Sequence, residues 1–308
     1  MLTTVTFLAL GLVLLFAGGE GLVRGSAALA LRLRIPPFII GVTIVGFGTS
    51  MPEMLVSINA ALKGSPDIAI GNIVGSNIAN ILLILGISAL LLPLKQDFSK
   101  VSRDMGVMVC AGLALVVLSL FGSVELWAGV IMVGSLASYL IYIVVTSQQN
   151  PDIEFPAPAD TSNLVLEIAF VLIGLACLIV GADWLVNSST TIARSFGISE
   201  AVIGLTIVAV GTSLPELATT VVAAIKRETD IAVGNILGSN IFNILGILGV
   251  TAIITPITIS PEMARFDVPI MFAIFLSLSL IIFLYGRIQR PLGAAAVLGY
   301  IGYIAYLY

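Results

Sequence analysis

Two hexapeptides, GTSMPE at 48–53 and GTSLPE at 211–216, put a helix breaker and a carboxylate into apolar surroundings. Pro52 has no N–H to offer the carbonyl of Gly48, and its ring crowds that carbonyl. With Gly46 and Gly48 alongside, the spacing predicts a kinked or unwound helix near 46–52. Carbonyls freed in hydrocarbon are costly unless something satisfies them, and a cation can. Glu53 follows the break, and Thr49, four residues earlier, shares its helical face. The second copy supplies Thr212, Pro215 and Glu216. A carboxylate at mid-bilayer costs a few kcal/mol or more, so it must face a partner or a wet cavity. No lysine or arginine lies at that depth in either segment, so mobile cations or protons are the expected partners.

A polar stripe follows each hexapeptide. In GNIVGSNIAN, 71–80, Asn72, Ser76 and Asn80 recur at every fourth residue and share one helical face. GNILGSNIFN, 234–243, repeats them as Asn235, Ser239 and Asn243. Ser76, Ser239, Asn80 and Asn243 are expected to line a site, and Asn72 and Asn235 to support it through interhelical hydrogen bonds. Gly71, Gly75, Gly234 and Gly238 form GxxxG pairs that permit close backbone approach. Every donor in this set is oxygen, which suits hard cations. Ca²⁺ takes six to eight oxygens at about 2.3–2.6 Å in tolerant geometry, whereas Mg²⁺ demands a tight octahedron. No soft ligand is present for copper or zinc. Two glutamates balance one Ca²⁺, and Na⁺, of similar size, competes for the same oxygens. Competition for one site suggests exchange. An empty, ionised pair of carboxylates is costly to carry through an occluded state, so only loaded forms should switch sides.

These groups need an apolar frame. The chain has 308 residues, 59% hydrophobic and only 10% charged, with a mean hydropathy of +1.16. A soluble domain is nearer a quarter charged. Apolar runs of about 20 residues, enough to cross a bilayer, recur along its length. The chain reads as an all-α polytopic membrane protein in the bilayer. Residues 48–93 align with 211–256 without a gap, and 26 of the 46 positions are identical. Upstream, FAGGEGLV at 16–23 matches IVGADWLV at 179–186, so each half is a copy of one unit.

Ten spans are expected, at 4–31, 36–62, 67–93, 104–122 and 125–146, then 164–193, 200–225, 230–256, 265–285 and 292–308. The first five-helix repeat occupies 1–147 and the second 163–308, with a polar, proline-rich linker at 148–162 between them. Five is odd, so the second repeat enters the bilayer inverted. Of the 13 basic residues, 3 then fall on the side of the N-terminus and 10 on the other. That bias puts both termini outside and the linker in the cytoplasm of a cell membrane. Two inverted repeats of broken helices are a transporter architecture.

The paired GTSMPE/GTSLPE and GNIVGSNIAN/GNILGSNIFN motifs resemble the two alpha repeats of the calcium/cation antiporter superfamily. Over nearly the whole chain the sequence is most similar to its prokaryotic sodium/calcium exchanger branch. The resemblance implies ten spans, with the second, third, seventh and eighth forming a core across which the first and sixth slide. It implies Ca²⁺ for Na⁺ exchange, driven by the sodium gradient. It maps a Ca²⁺ site to Glu53, Glu216 and the Thr49 and Thr212 carbonyls. It adds Na⁺ sites at Ser50, Ser76, Ser213 and Ser239 and the carbonyls of Gly46 and Ala209, with Asn80 and Asn243 at the central polar position. Many relatives carry aspartate where this chain has Asn243, which argues against potassium dependence. The proton-exchanging branch tends to carry a histidine near the stripe, and this chain has none, which favours Na⁺ over H⁺.

Other readings are open. A Ca²⁺/H⁺ antiporter, or a passive cation channel, could use the same residues. An intramembrane enzyme is disfavoured, because GxSxG, HExxH and GxGD patterns are missing. No cofactor is called for beyond the transported Ca²⁺ and Na⁺. No basic tail invites nucleic acid, and nothing names a protein partner. Cys110 and Cys177 read as packed thiols. Asp67, Asp230, Asp104 and Asp267 read as acids at helix N-termini. Glu20 is placed to pair with Arg24, one turn on. Asp183, which has Asn187 at the matching place, needs another partner.

Overall fold

The computed structural model describes residues 2–33, 35–147, 163–196 and 209–307. The linker at 148–162 and the start of the seventh predicted span, 200–208, lie outside the described residues. In chain order the helices are α1 (Leu2–Leu33), α2 (Pro37–Thr49), α3 (Met51–Leu62), α4 (Pro66–Leu91), α5 (Phe98–Ser119) and α6 (Leu126–Ser147). They continue as α7 (Leu164–Ser195), α8 (Ala209–Thr212), α9 (Leu214–Ile225), α10 (Thr229–Ile254), α11 (Pro261–Tyr285) and α12 (Arg290–Leu307). Among the described residues, 7 single helices are long and apolar enough to cross a membrane, and the bent α2–α3 pair makes up to 8.

The bend falls where the sequence puts it. α2 and α3 meet at 44° about Ser50, whose φ of −83° and ψ of 5° leave the helical region. Ser213 repeats that conformation between α8 and α9, with φ −87° and ψ 8°. Each proline then sits in the first turn of the following helix, where its missing N–H costs nothing.

The all-α expectation needs one correction. Four two-residue strands, β1 (Leu94–Lys95), β2 (Ser123–Val124), β3 (Ile257–Thr258) and β4 (Arg287–Ile288), form two antiparallel clips. Leu94 faces Ile288 and Lys95 faces Arg287 in one; Ser123 faces Thr258 and Val124 faces Ile257 in the other. The cause is local. Pro93 and Pro256 push the residues before them out of the α region. Leu92 (φ −140°, ψ 124°) and Thr255 (φ −154°, ψ 135°) are accordingly extended, so α4 and α10 end in short strands.

α4 and α10 form the centre. Of their most apolar windows, 72% and 89% is buried, against 28% in α1, α7 and α11, whose remaining surface is free to meet lipid. α10 crosses α2 at very short range. A Cβ at Gly238 would lie 2.3 Å from the Val42 carbonyl oxygen, so only glycine permits this crossing. α1 and α7 approach as closely: a Cβ at Gly174 would lie 2.6 Å from the Leu22 nitrogen. Their contact is fastened at one end by Arg32 on Glu167, with Nε 2.7 Å from Oε2 and Nη2 3.1 Å from Oε1. At the other end Phe7 and Trp184 stack edge to face with centroids 5.0 Å apart.

Several smaller expectations change. Glu20 pairs with Lys226 rather than Arg24, whose guanidinium lies over the Phe170 ring. Asp183 does find Asn187, which donates to it at 2.9 Å. α5 starts six residues earlier than predicted because Asp97 caps it through the Ser99 N–H at 3.0 Å. Asp104 therefore lies fully buried in the second turn, bonded by Arg103 and by the Tyr139 hydroxyl. Asp267 does open a helical segment and accepts from Tyr303 at 2.8 Å. Asp67 and Asp230 sit in first turns as expected. Cys110 is exposed on the outer surface of α5 rather than packed, and Cys177 is half-buried; both are free.

Candidate ion-binding site

The two breaks meet at the centre of the molecule. Ser50, in the α2–α3 break, donates to Glu216 Oε1 at 3.0 Å. Ser213, in the α8–α9 break, donates to Glu53 Oε1 at 3.1 Å. Each half's serine thus holds the other half's glutamate, and both carboxylates are only 1% exposed. The repeat supplies both partners, since each serine ends one helix three residues before the glutamate in the first turn of the next; the crossing of the two breaks pairs them across the halves. Ser76, on the α4 stripe, joins the same network, with its hydroxyl 3.5 Å from that of Ser213.

A second network surrounds Thr49. Its single hydroxyl proton has three acceptors in reach: Val45 O at 3.0 Å, Asn235 Oδ1 at 3.2 Å and Gly46 O at 3.4 Å. It can serve one of them well. Gly46 O also lies 3.4 Å from the Ser239 hydroxyl of α10. Thr212 closes α8, half-buried, beside the Ser213 break, and Ala209 opens that helix. Asn80 donates to Asn240 Oδ1 at 3.3 Å. Asn243 is buried in α10.

Asn72 and Asn235 make interhelical hydrogen bonds. Asn72 donates to the Glu53 carbonyl at 3.1 Å and to the Ser57 hydroxyl at 2.9 Å. Asn235 donates to Thr220 at 2.9 Å. Ser57 and Thr220 stand four residues after Glu53 and Glu216 and were not singled out from the sequence. Their signal was present: hydroxyls occupy the same place in both repeats, one turn past the acid. Asn240, fully buried and bonded to Asn80, was missed in the same way.

Acceptors outnumber protons here. Glu53 Oε2, Glu216 Oε2, Asn80 Oδ1 and Asn243 Oδ1 are all buried without a hydrogen-bond partner. A buried acceptor left unpaired costs about 1–3 kcal/mol, and more when charged. These four oxygens, carried by four elements, are of the kind that hard cations take. Among the described residues no cluster of three or more His, Cys, Asp or Glu side chains could hold a resident metal.

Two of the helices turn wide beside these residues. π-helical turns cover Asn80–Leu85 in α4 and Phe242–Leu248 in α10, and a third covers Gly41–Val45 in α2. They begin at or next to Asn80 and Asn243, so the amide stripe ends where the helices widen. Such turns concentrate at functional sites. No residue type in these segments announced them.

Comparisons with known proteins show the family. The sodium/calcium exchanger protein family matches over residues 3–146 and 166–308. The inner membrane protein YrbG of Escherichia coli is 36% identical, with 100% of this chain and 98% of that protein covered. The sodium/calcium exchanger MaX1 of Methanosarcina acetivorans is 33% identical, with 99% of each covered. Among solved structures, the sodium-calcium exchanger NCX_Mj, soaked with Na⁺ and Ca²⁺, superposes with a TM-score of 0.88 at 31% identity. That alignment covers 100% of this chain and 99% of the other. The chain belongs to the sodium/calcium exchanger family, and is thus a membrane cation antiporter rather than an enzyme.

Proposed function

We propose that this chain exchanges Ca²⁺ for Na⁺ by alternating access at one site between its halves. Glu53 and Glu216 supply the charge that balances Ca²⁺, with the Thr49 and Thr212 carbonyls completing its shell. Ser50, Ser76, Ser213 and Ser239, with the Gly46 and Ala209 carbonyls, take Na⁺ beside it. Asn80 and Asn243 present amide oxygens at the centre, and Asn72 and Asn235 brace the glutamate-bearing helices.

The observation that carries this reading is the reciprocal serine–glutamate pairing, which leaves one oxygen of each carboxylate without a donor. Neutralising that pair with ions lowers the cost of passing through a closed, dry state. The same asymmetry between loaded and empty forms makes transport obligatorily coupled.

The architecture proposed with it is ten spans in two inverted five-helix repeats, 1–147 and 163–308, joined by a cytoplasmic linker at 148–162. Both termini lie outside the cell membrane. The family match in two stretches supports the repeat. So does the clip arrangement, in which β1 and β3 occupy equivalent positions of the two halves and each pairs with a strand of the other.

The test is flux in proteoliposomes. With Na⁺ trapped inside, external Ca²⁺ should accumulate; with K⁺ inside it should not. Ca²⁺ uptake driven by a pH gradient and indifferent to Na⁺ would replace this reading with Ca²⁺/H⁺ exchange. Uptake without any counter-ion would make the protein a channel. Glu53→Gln and Glu216→Gln should each abolish Ca²⁺ flux while leaving a folded protein; full flux in either removes that glutamate from the site.

A further inference from the structure

We propose that the cavity under the β1–β4 clip binds a phosphate ester, the headgroup of an anionic phospholipid in the leaflet that this clip faces. The cavity is an open, shallow depression of about 660 Å³ between the clip, the start of α5 and the end of α11. The clip itself poses the problem that an anion solves. Lys95 and Arg287 stand directly opposite each other across the two strands. Like charges in that position repel and weaken the pair. The equivalent place in the other clip holds Ser123 and Thr258, both neutral, so the fold does not require cations there. Among the described residues neither Lys95 nor Arg287 has an ion-pair partner. Lys100 lines the same cavity and adds a third positive charge.

A second, independent feature lies between them. Gln96 also lines the cavity, is only 3% exposed, and has neither side-chain oxygen nor side-chain nitrogen hydrogen-bonded. Its backbone N–H is spent on the Gly286 carbonyl at 2.9 Å, which ties the main chain here to the end of α11 and leaves the amide side chain uncommitted. A phosphate oxygen would accept from its NH₂, and an esterified hydroxyl-bearing headgroup would donate to its oxygen. Two acids share the cavity. Asp97 is already engaged at the N-terminus of α5 through Ser99, and Asp230 lies in the first turn of α10. The cations still outnumber them by three to two.

The rim favours a lipid over a free phosphate ion. Phe283 and Tyr285 are 62% and 60% exposed at the end of α11, and Phe283 stacks on Phe98 with centroids 5.1 Å apart. An aromatic rim beside cations suits a molecule that is apolar at one end and anionic at the other. The leaflet assignment rests on the proposed topology, which puts this clip on the cytoplasmic side, where anionic lipids attract basic groups.

The test reads binding, not transport, so its outcome is separable from that of the exchange assay. The full chain in neutral detergent is titrated with phosphatidylglycerol, phosphatidylcholine or inorganic phosphate, and bound ligand is counted by native mass spectrometry. Phosphatidylglycerol should bind in preference to phosphatidylcholine. Lys95→Gln and Arg287→Gln should each weaken it about fivefold, the value of one cation near a membrane surface. Gln96→Leu should weaken it about tenfold, as loss of a hydrogen bond to a charged group does, and Thr258→Ala should leave it unchanged. Thermal unfolding gives a second readout: without anionic lipid Lys95→Gln should melt no lower than the wild type, and added phosphatidylglycerol should stabilise only the wild type strongly. Equal retention of both lipids, or unchanged binding in the clip variants, overturns the proposal. Displacement of the lipid by millimolar inorganic phosphate overturns the lipid assignment.

Discussion

Gly238→Ala should damage both stability and transport, and the size of the effect can be worked from the helix crossing. A Cβ at 238 would stand 2.3 Å from the Val42 oxygen, 2.7 Å from Val42 Cα and 2.8 Å from its carbonyl carbon. A carbon–oxygen contact normally rests at about 3.3–3.6 Å. All three obstacles are backbone, so no rotamer change relieves them, and α2 must part from α10 by about 1 Å. Overpacking of this kind costs about 1–3 kcal/mol. That is about five- to 150-fold in a folding equilibrium. The same displacement separates the Gly46 carbonyl from the Ser239 hydroxyl, which already lie 3.4 Å apart. A site misplaced by about 1 Å can lose about a hundredfold in rate. The assay is thermal unfolding in detergent together with Na⁺-driven Ca²⁺ uptake, with Gly134→Ala as the control, since nothing lies within 4 Å of a Cβ there. If Gly238→Ala and Gly134→Ala behave alike in both measurements, the tight crossing does not position the site.

Asn243→Asp replaces an amide oxygen that has no donor with a carboxylate, a third acid after Glu53 and Glu216, so it should shift the Na⁺ dependence of exchange more than the Ca²⁺ affinity; an unchanged Na⁺ titration argues against its lining the site. Tyr139→Phe leaves the fully buried Asp104 short of a donor and should cost about 1–3 kcal/mol in unfolding, more than Tyr303→Phe, whose partner Asp267 begins its helix segment; the two melting curves decide. Glu228, between α9 and α10, has its carboxyl pushed up by burial and by the charge of Asp230. Its raised value means that stability is fully present at low pH and declines as pH rises through the folded value. Glu228→Gln should therefore raise the melting temperature at neutral pH and leave it unchanged well below pH ~4; a flat difference across pH would discard that role.

The breaks were legible because proline and glycine act locally. Pro52 alone dictates that Gly48 loses a partner, and its copy Pro215 says it again. The glutamates were legible because a charge in an apolar run needs a reason. Repetition then placed both acids at matching depths, which is why Glu53 and Glu216 could be named before any coordinates. What could not be read were properties of pairs. The serine of one break bonding the acid of the other depends on how two distant segments cross. Glu20 shows the failure plainly: Arg24 is one turn away, yet Lys226, far along the chain, takes the contact. Asp104 was misplaced because the true cap, Asp97, lies in a run of mixed polarity that resembles a loop. The π turns at Asn80 and Phe242 carry no composition signal, since hydrophobic residues serve equally in either kind of turn.

The clips also set a timetable for biogenesis. Leu94 leaves the ribosome with the first half, but its partner Ile288 is made only near the end of synthesis. Until then the early strand has an open edge at the membrane boundary, and Glu53 has no Ser213 to meet. A nascent first half would thus be an unfinished object that chaperones or the insertion machinery must shelter, and severing the gene between its halves should yield fragments that are degraded unless made together.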